Sequence, residues 1–348
     1  MDPLTHIAIA YCLIFWIQKF KKIPAKFMIP YLIGAVIPDL DIFFNWVVYL
    51  APKLYWLEHR GMGHSIVGVI PYVILTAVTL NFSKIKRSIW KEEKYPDLDF
   101  WSWEGIMFLY LGTLTHLLTD FFVPTGLMLF FPFSFKWYGL KILSTNNIHS
   151  ILAAVFVLSI FPLNWNKRRR NIALTLFIIS ITFYSAVRVA VNINSSKVFE
   201  DKYGSSDYSS SELIFTYNVN YKVYDSTDNN NKTYVIAIID GMQKKIVEEF
   251  FIPEIKIIDN ASISQILQLV NVTRENSHYY RLWQKNQIVC AEVQKETDNS
   301  WLIRWFAPIR EAEMRTKIGF IDYTGTTEVV FHITESGVIT KIDRPLAI

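Results

Sequence analysis

The chain has 348 residues, enough for two domains, and is 51% hydrophobic with 16% aromatic residues. Its formal net charge is only +4, and the bases fall in short runs between apolar segments, which speaks for membrane topology and against a nucleic-acid surface. Two cysteines in different halves, Cys12 and Cys290, argue against a disulfide framework or a thiolate metal site.

In chain order, apolar segments are expected at Leu4 to Gln18, at Phe27 to Leu50 with a break at Pro38 in PDLD, and at about Ser65 to Leu80. Three more follow at Gly105 to Pro124, Ile148 to about Leu163, and Ile172 to Val191. The pattern predicts an α-helical polytopic membrane domain of about six spans over residues 1–193, with the short ones partly re-entrant or interfacial. Alternate loops carry the bases: Lys19, Lys21, Lys22 and Lys26, then Lys84, Lys86, Arg87, Lys91 and Lys94, then Lys167 to Arg170. The opposite loops hold only Lys53, Arg60, Lys136 and Lys141, so both termini are expected outside the cytoplasm.

From about Asn194 the composition turns to Ser, Asp, Asn and Tyr, and residues 194–211 read as a linker. Beyond it, ELIFTYNVNYKVYD alternates as a strand does, TYVIAIID reads as a second strand, SISQILQLVN reads as a short helix, and three later segments add strands. Residues 212–348 are therefore expected to form an extracytoplasmic α+β or mainly β domain.

The chemistry concentrates in the membrane half. In GIMFLYLGTLTHLLTDFFVP, His116 and Asp120 stand at i and i+4, on one helix face about 6 Å apart. An ionisable group within an apolar span is costly and by default functional, although a His–Asp hydrogen bond joining two helices gives the same pattern. The predicted topology places His6, Asp39, Asp41, His59, His64, His116, Asp120 and His149 at one depth, near the outer boundary, which points to one shared site. Mixed imidazole and carboxylate ligands without thiolate suit Zn²⁺, with Mn²⁺ or Fe²⁺ as alternatives. Asp39 or Asp41 is the expected acceptor of a water proton, and Arg60 the expected partner of an anionic phosphoryl group. Gly61 and Gly63 are expected to let HRGMGHS fold back so that His59 and His64 point inward. Whether His59 and His149 are ligands is open, and the aromatic run FFPFSFKWYG reads as an interfacial belt.

Taken in order, THIAIA, IPDLD, HRGMGHS and GTLTHLLTD, followed by FVPTGLMLFFPF, resemble the YdjM-type family of LexA-regulated inner-membrane metal-dependent hydrolases over roughly residues 1–160. That resemblance implies a distant similarity to zinc-dependent phospholipases C and single-strand nucleases. By it, His116 and Asp120 are anchor ligands, Asp39 or Asp41 with His64 completes one ion, and His6 shares Asp120 with a second. The expected function is metal-dependent hydrolysis of a phospholipid or lipid-linked phosphoester, with one or two ions. A divalent-metal transporter and a non-catalytic receptor with a structural metal are the alternatives. The first would need polar groups along a whole path through the membrane.

Overall fold

In the computed structural model the described residues are 3–18, 20–21, 23–82, 99–123, 126–140, 156, 167–210, 216–225, 232–258, 263–277, 289–297, 299–307 and 328–343. They divide into two units, one comprising Met1–Asn45 with Trp56–Val187 and the other Trp46–Tyr55 with Arg188–Ile348.

The first unit is helical. Its helices are α1 (Pro3–Ile17), α2 (Met28–Gly34), α3 (Asn45–Leu50, at the unit boundary), α4 (Ile70–Asn81), α5 (Trp103–Asp120) and the start of α6 (Lys167–Tyr203). Short 3-10 helices at Ile37–Phe44, Pro52–Leu57 and Met62–His64 lie between them. The break expected at Pro38 is real: proline within the first turn is tolerated, and the chain tightens there into a 3-10 helix carrying both Asp39 and Asp41.

α5 is the element the others pack on. The hydroxyl of Ser102 accepts from the Gly105 N–H and caps the helix start, with Glu104 in the first turn where the helix dipole favours an acid. Its buried Leu109 joins Phe100, Ile37, Val69, Val73 and Ala77 in one core cluster. Against α2 the approach is backbone to backbone. A Cβ on Gly112 would lie 1.9 Å from the Tyr31 carbonyl oxygen, and one on Gly34 would lie 2.0 Å from that of Leu109. Only glycine fits at either place, and the contact so formed is sealed by Thr113 Oγ1 donating to Gly34 O at 3.0 Å. The hydroxyls of Tyr31 and Thr115 add a 2.7 Å bond beside it.

Two stretches are long and apolar enough to cross a bilayer, Met28–Val48 and Asn171–Tyr203. The expectation of six spans is not met by the described helices. α1 and α4 have 15 and 12 residues, short of the roughly 20 that a span takes. α5 has 18 residues but is diluted by Glu, Thr, His and Asp. Apart from Phe156, which stacks on Phe177 at 4.4 Å between centroids, the fifth expected span lies outside the described residues.

The second unit begins inside α6, so the linker expected from Asn194 is corrected: the helix runs on to Tyr203, and strand β1 (Tyr208–Ser210) starts five residues later. Helix continues there because this segment has a sheet to pack on, with Phe199 buried among Ala237 and Ile239. The first sheet runs in the order β1, β2 (Tyr217–Asp225), β3 (Lys232–Asp240), β4 (Lys245–Pro253), all antiparallel. β3 is buried along most of its length, as its apolar run TYVIAII requires of a central strand.

The second sheet joins β5 (Ile255–Ile257), β6 (Cys290–Thr297), β7 (Ser300–Phe306), β8 (Glu328–Thr334) and β9 (Ile339–Asp343) in that order, with only β5 and β6 parallel. Helix α7 (Ile263–Asn276) buries Ile266, Leu269 and Val270 against Trp301, Ile303 and Trp305 of β7, and Trp305 Nε1 donates to Thr273 Oγ1 at 3.0 Å.

Two predictions follow from these contacts. Gly112→Val should force α2 away from α5 and cost at least about 1–3 kcal/mol, read as a lower melting temperature of the detergent-solubilised chain. In the second sheet, hydrogen bonding to Glu296 raises the His332 pKa above its usual 6.5, against a smaller opposing effect of burial, and the hydrogen bond to Asp343 raises it further. A pKa raised on folding contributes stability that is full below the unfolded value and lost as pH rises through the folded one. Stability should therefore fall on going from about pH 6 to about pH 9, and His332→Leu should flatten that slope in pH-dependent melting curves.

Candidate metal centre

Four separate segments bring their polar side chains to one place. α1 supplies His6, the 3-10 helix Ile37–Phe44 supplies Asp39 and Asp41, the 58–65 loop supplies His59, Arg60 and His64, and α5 supplies His116 and Asp120. His6, His64, His116, Asp41 and Asp120 are essentially fully buried.

Three imidazoles are held by Nδ1. That of His116 bonds the Ala35 carbonyl at 2.8 Å, that of His64 the Asp41 Oδ2 at 2.7 Å, and that of His6 the Thr119 hydroxyl at 2.8 Å. With Nδ1 so engaged, each ring turns Nε2 toward the others. His64 Nε2 and His116 Nε2 stand 3.1 Å apart. Asp39 Oδ1 is 3.7 Å from the former and 3.5 Å from the latter, and Asp120 Oδ2 is 3.7 Å from each. His6 stacks on His116 with centroids 3.6 Å apart and puts its Nε2 3.4 Å from Asp120 Oδ1.

These separations suit a cation. Four ligand atoms at about 2.0–2.1 Å around a tetrahedral Zn²⁺ would stand about 3.3 Å from one another. Both oxygens of Asp39 and the Nε2 of His6 are buried without a hydrogen-bond partner among the described residues. A buried carboxylate with nothing to accept from is costly unless it faces a positive charge. His64 registers the same demand. Burial would depress its pKa, but the Asp41 and Asp39 carboxylates outweigh that and push it up to about 9. Three overlapping sets bring ligand atoms close enough together that they could hold an ion: His6 with Asp39 and His116, Asp39 with His59 and His64, and His64 with His116 and Asp120.

Asp41 stands elsewhere than expected. Its oxygens already accept from His59 Nδ1 at 2.7 Å, from His64 Nδ1 at 2.7 Å and from the Arg60 N–H at 3.1 Å. It sits behind His64 and braces it, in the manner of a carboxylate that orients a liganding histidine. Asp41 thus stands outside the groups that could hold an ion, whereas Asp39 belongs to two of them. His59 is the most open member, with 27% of its side chain exposed, and it shares Asp41 with His64 while its amide donates to Asn45 Oδ1 at 2.6 Å.

Arg60 turns inward, its Nε 3.2 Å from Asp120 Oδ2 with only 9% of the side chain exposed. The loop turns back differently from the expectation as well. The left-handed residue is Arg60 itself, at φ 73°, while Gly63 is needed for space, since a Cβ there would meet Asp41 Cβ at 2.8 Å. His149 lies outside the described residues.

Ala35, which acts through its backbone carbonyl, has no signature in the sequence. Thr119 could have been noticed as the residue before Asp120, but a threonine in an apolar helix more often bonds its own backbone, as this one also does to His116 O at 2.8 Å.

A family model described as YdjM inner membrane protein matches residues 1–193, more than half of the chain. The chain belongs to this family and is an inner-membrane protein with a β domain after its helical part. No curated protein and no solved structure matches.

Asp41→Asn removes the charge that holds His64 Nδ1–H while leaving the convergent atoms in place. It should lower zinc affinity by about 10–100-fold without loss of fold, measured by competition against a chromogenic chelator. Unchanged affinity would mean that Asp41 braces nothing that binds the ion.

Proposed function

We propose that this protein is an integral-membrane metal-dependent hydrolase acting on a phospholipid or lipid-linked phosphoester at the outer membrane boundary. The observation that carries this reading is the convergence of three imidazole Nε2 atoms, each held at Nδ1, on the carboxylates of Asp39 and Asp120.

A divalent ion held by side chains drawn from His64, His116, Asp39 and Asp120 would lower the pKa of a water far below its bulk value, to about 7, and so supply hydroxide near neutral pH. The remaining Asp39 oxygen is placed to accept the water's proton, being buried and free of hydrogen bonds among the described residues. Arg60 neutralises Asp120 and keeps its planar, permanently charged group beside the cluster, where a phosphoryl oxygen would need it. His59, with 27% of its side chain exposed, is the member of the cluster most open to solvent.

Transport is disfavoured because α5 carries no acidic or basic residue between Gly105 and Thr115, so no charged path continues along that helix. The orientation expected from the basic loops puts the cluster near the headgroups of the outer leaflet, hence the choice of a lipid phosphoester.

The test uses the full chain in nanodiscs containing phosphatidylglycerol and phosphatidylethanolamine, with release of phosphorylated or free headgroup as the readout. Exhaustive chelation should abolish hydrolysis and Zn²⁺ should restore it. His116→Ala and Asp120→Ala should each lose bound metal and at least about 100-fold in rate. Hydrolysis that survives full demetallation would overturn the mechanism.

A further inference from the structure

The 126–140 segment follows α5 and ends in a turn whose tip is apolar and open. Phe133 is 83% exposed, Phe130 and Phe135 are 45% and 46% exposed, and Lys136 beside them is exposed too. Its base is firmly tied. Leu127 and Tyr138 exchange two backbone hydrogen bonds at 2.9 Å, and Leu140 N donates to Phe121 O at 2.7 Å just past the end of α5. Two further bonds reach the 58–66 loop: Met128 N donates to Arg60 O at 3.1 Å, and Ile66 N donates to Leu129 O at 3.1 Å. They bracket Gly61 to Ser65, and Trp56 stacks on Phe131 at 5.7 Å alongside.

The opposite end of α5 is marked in the same way, by Trp101 and Trp103 at 50% and 77% exposure. Between the two aromatic groups run the 18 residues of α5, about 27 Å of helix, with Leu111 and Leu118 exposed one heptad apart. The hydrocarbon core of a bilayer is about 30 Å thick, with Trp and other aromatic residues gathered at its two surfaces. α5 itself is not among the stretches apolar enough to cross a bilayer, so the place of the tip rests on its own side chains: exposed phenylalanines beside an exposed lysine, in an inner-membrane protein, suit the headgroup boundary.

We propose that this turn is a lipid-seated strut. Its phenylalanines insert at the headgroup–acyl boundary of the outer leaflet, and its base transmits that position to the Arg60–His64 loop. The partner is the bilayer itself, and the inference does not depend on the hydrolase reading, because a transporter or receptor with the same cluster would use the strut in the same way. Loss of the lipid seat loosens the loop that carries His59, Arg60 and His64 before it disturbs α5.

The experiment has two arms, both on the full chain in phosphatidylcholine nanodiscs. With Cys12 and Cys290 replaced by Ala, a nitroxide attached through Phe133→Cys should collide readily with oxygen and poorly with a water-soluble nickel chelate, as expected about 5–10 Å below the headgroups. A label open to the nickel chelate, or shielded from both reagents as a protein partner would shield it, overturns the proposal. In the second arm, the Phe130→Ser, Phe133→Ser double variant should exchange amide hydrogens about tenfold faster over residues 58–66, with residues 105–120 unchanged. Unchanged exchange over 58–66 overturns the coupling. Phe133→Trp, which keeps an interfacial side chain, should behave as the parent; a parent-like 58–66 loop in the tryptophan variant alone also separates loss of the seat from a general failure to fold.

Discussion

An imidazole carries two nitrogens, and what the first one holds decides what the second can do. In the helical unit three rings are fixed from behind, by a backbone carbonyl, a carboxylate and a hydroxyl. Each anchor depends in turn on packing. The Ala35 carbonyl is within reach of His116 only because α2 and α5 touch at Gly34 and Gly112, where a single added carbon would push them apart. Asp41 reaches His64 only because the Gly63 backbone lies against it. The Asp39 carboxylate, without a hydrogen bond among the described residues, faces the Nε2 atoms of His64 and His116 that this arrangement presents.

Much of the site was legible because its residue types are expensive where they occur. Histidine and aspartate within apolar helices stand out, and a common depth could be inferred from the basic loops alone. The division of labour among them was not legible. Asp39 and Asp41 are two positions apart and chemically the same, yet a 3-10 turn directs one to the cluster and the other behind it. The backbone anchor at Ala35 leaves no mark in the sequence at all.

The β domain was legible where strands alternate or run apolar, as at β3 and β7, and the helix expected at SISQILQLVN is present as α7 from Ile263. The junction was misread for a physical reason. Serines, asparagines and charged residues after Asn194 suggest a linker on local propensity, but tertiary packing of Phe199 and the neighbouring Val198 on the first sheet keeps them helical. Counting spans failed in a related way. Apolar length alone cannot separate a helix that crosses a bilayer from one broken at a proline or kept short against its neighbours.

Arg60 adopts a backbone shape that glycine would take at no penalty, and it is kept there by Asp41 accepting from its N–H and Met128 donating to its carbonyl. Left-handed backbone disfavours an L side chain by about 1–2 kcal/mol. A chain shaped only by the need to fold would place glycine at this corner. The guanidinium is therefore retained against the local conformational preference, and folding and chemistry pull in opposite directions at this residue.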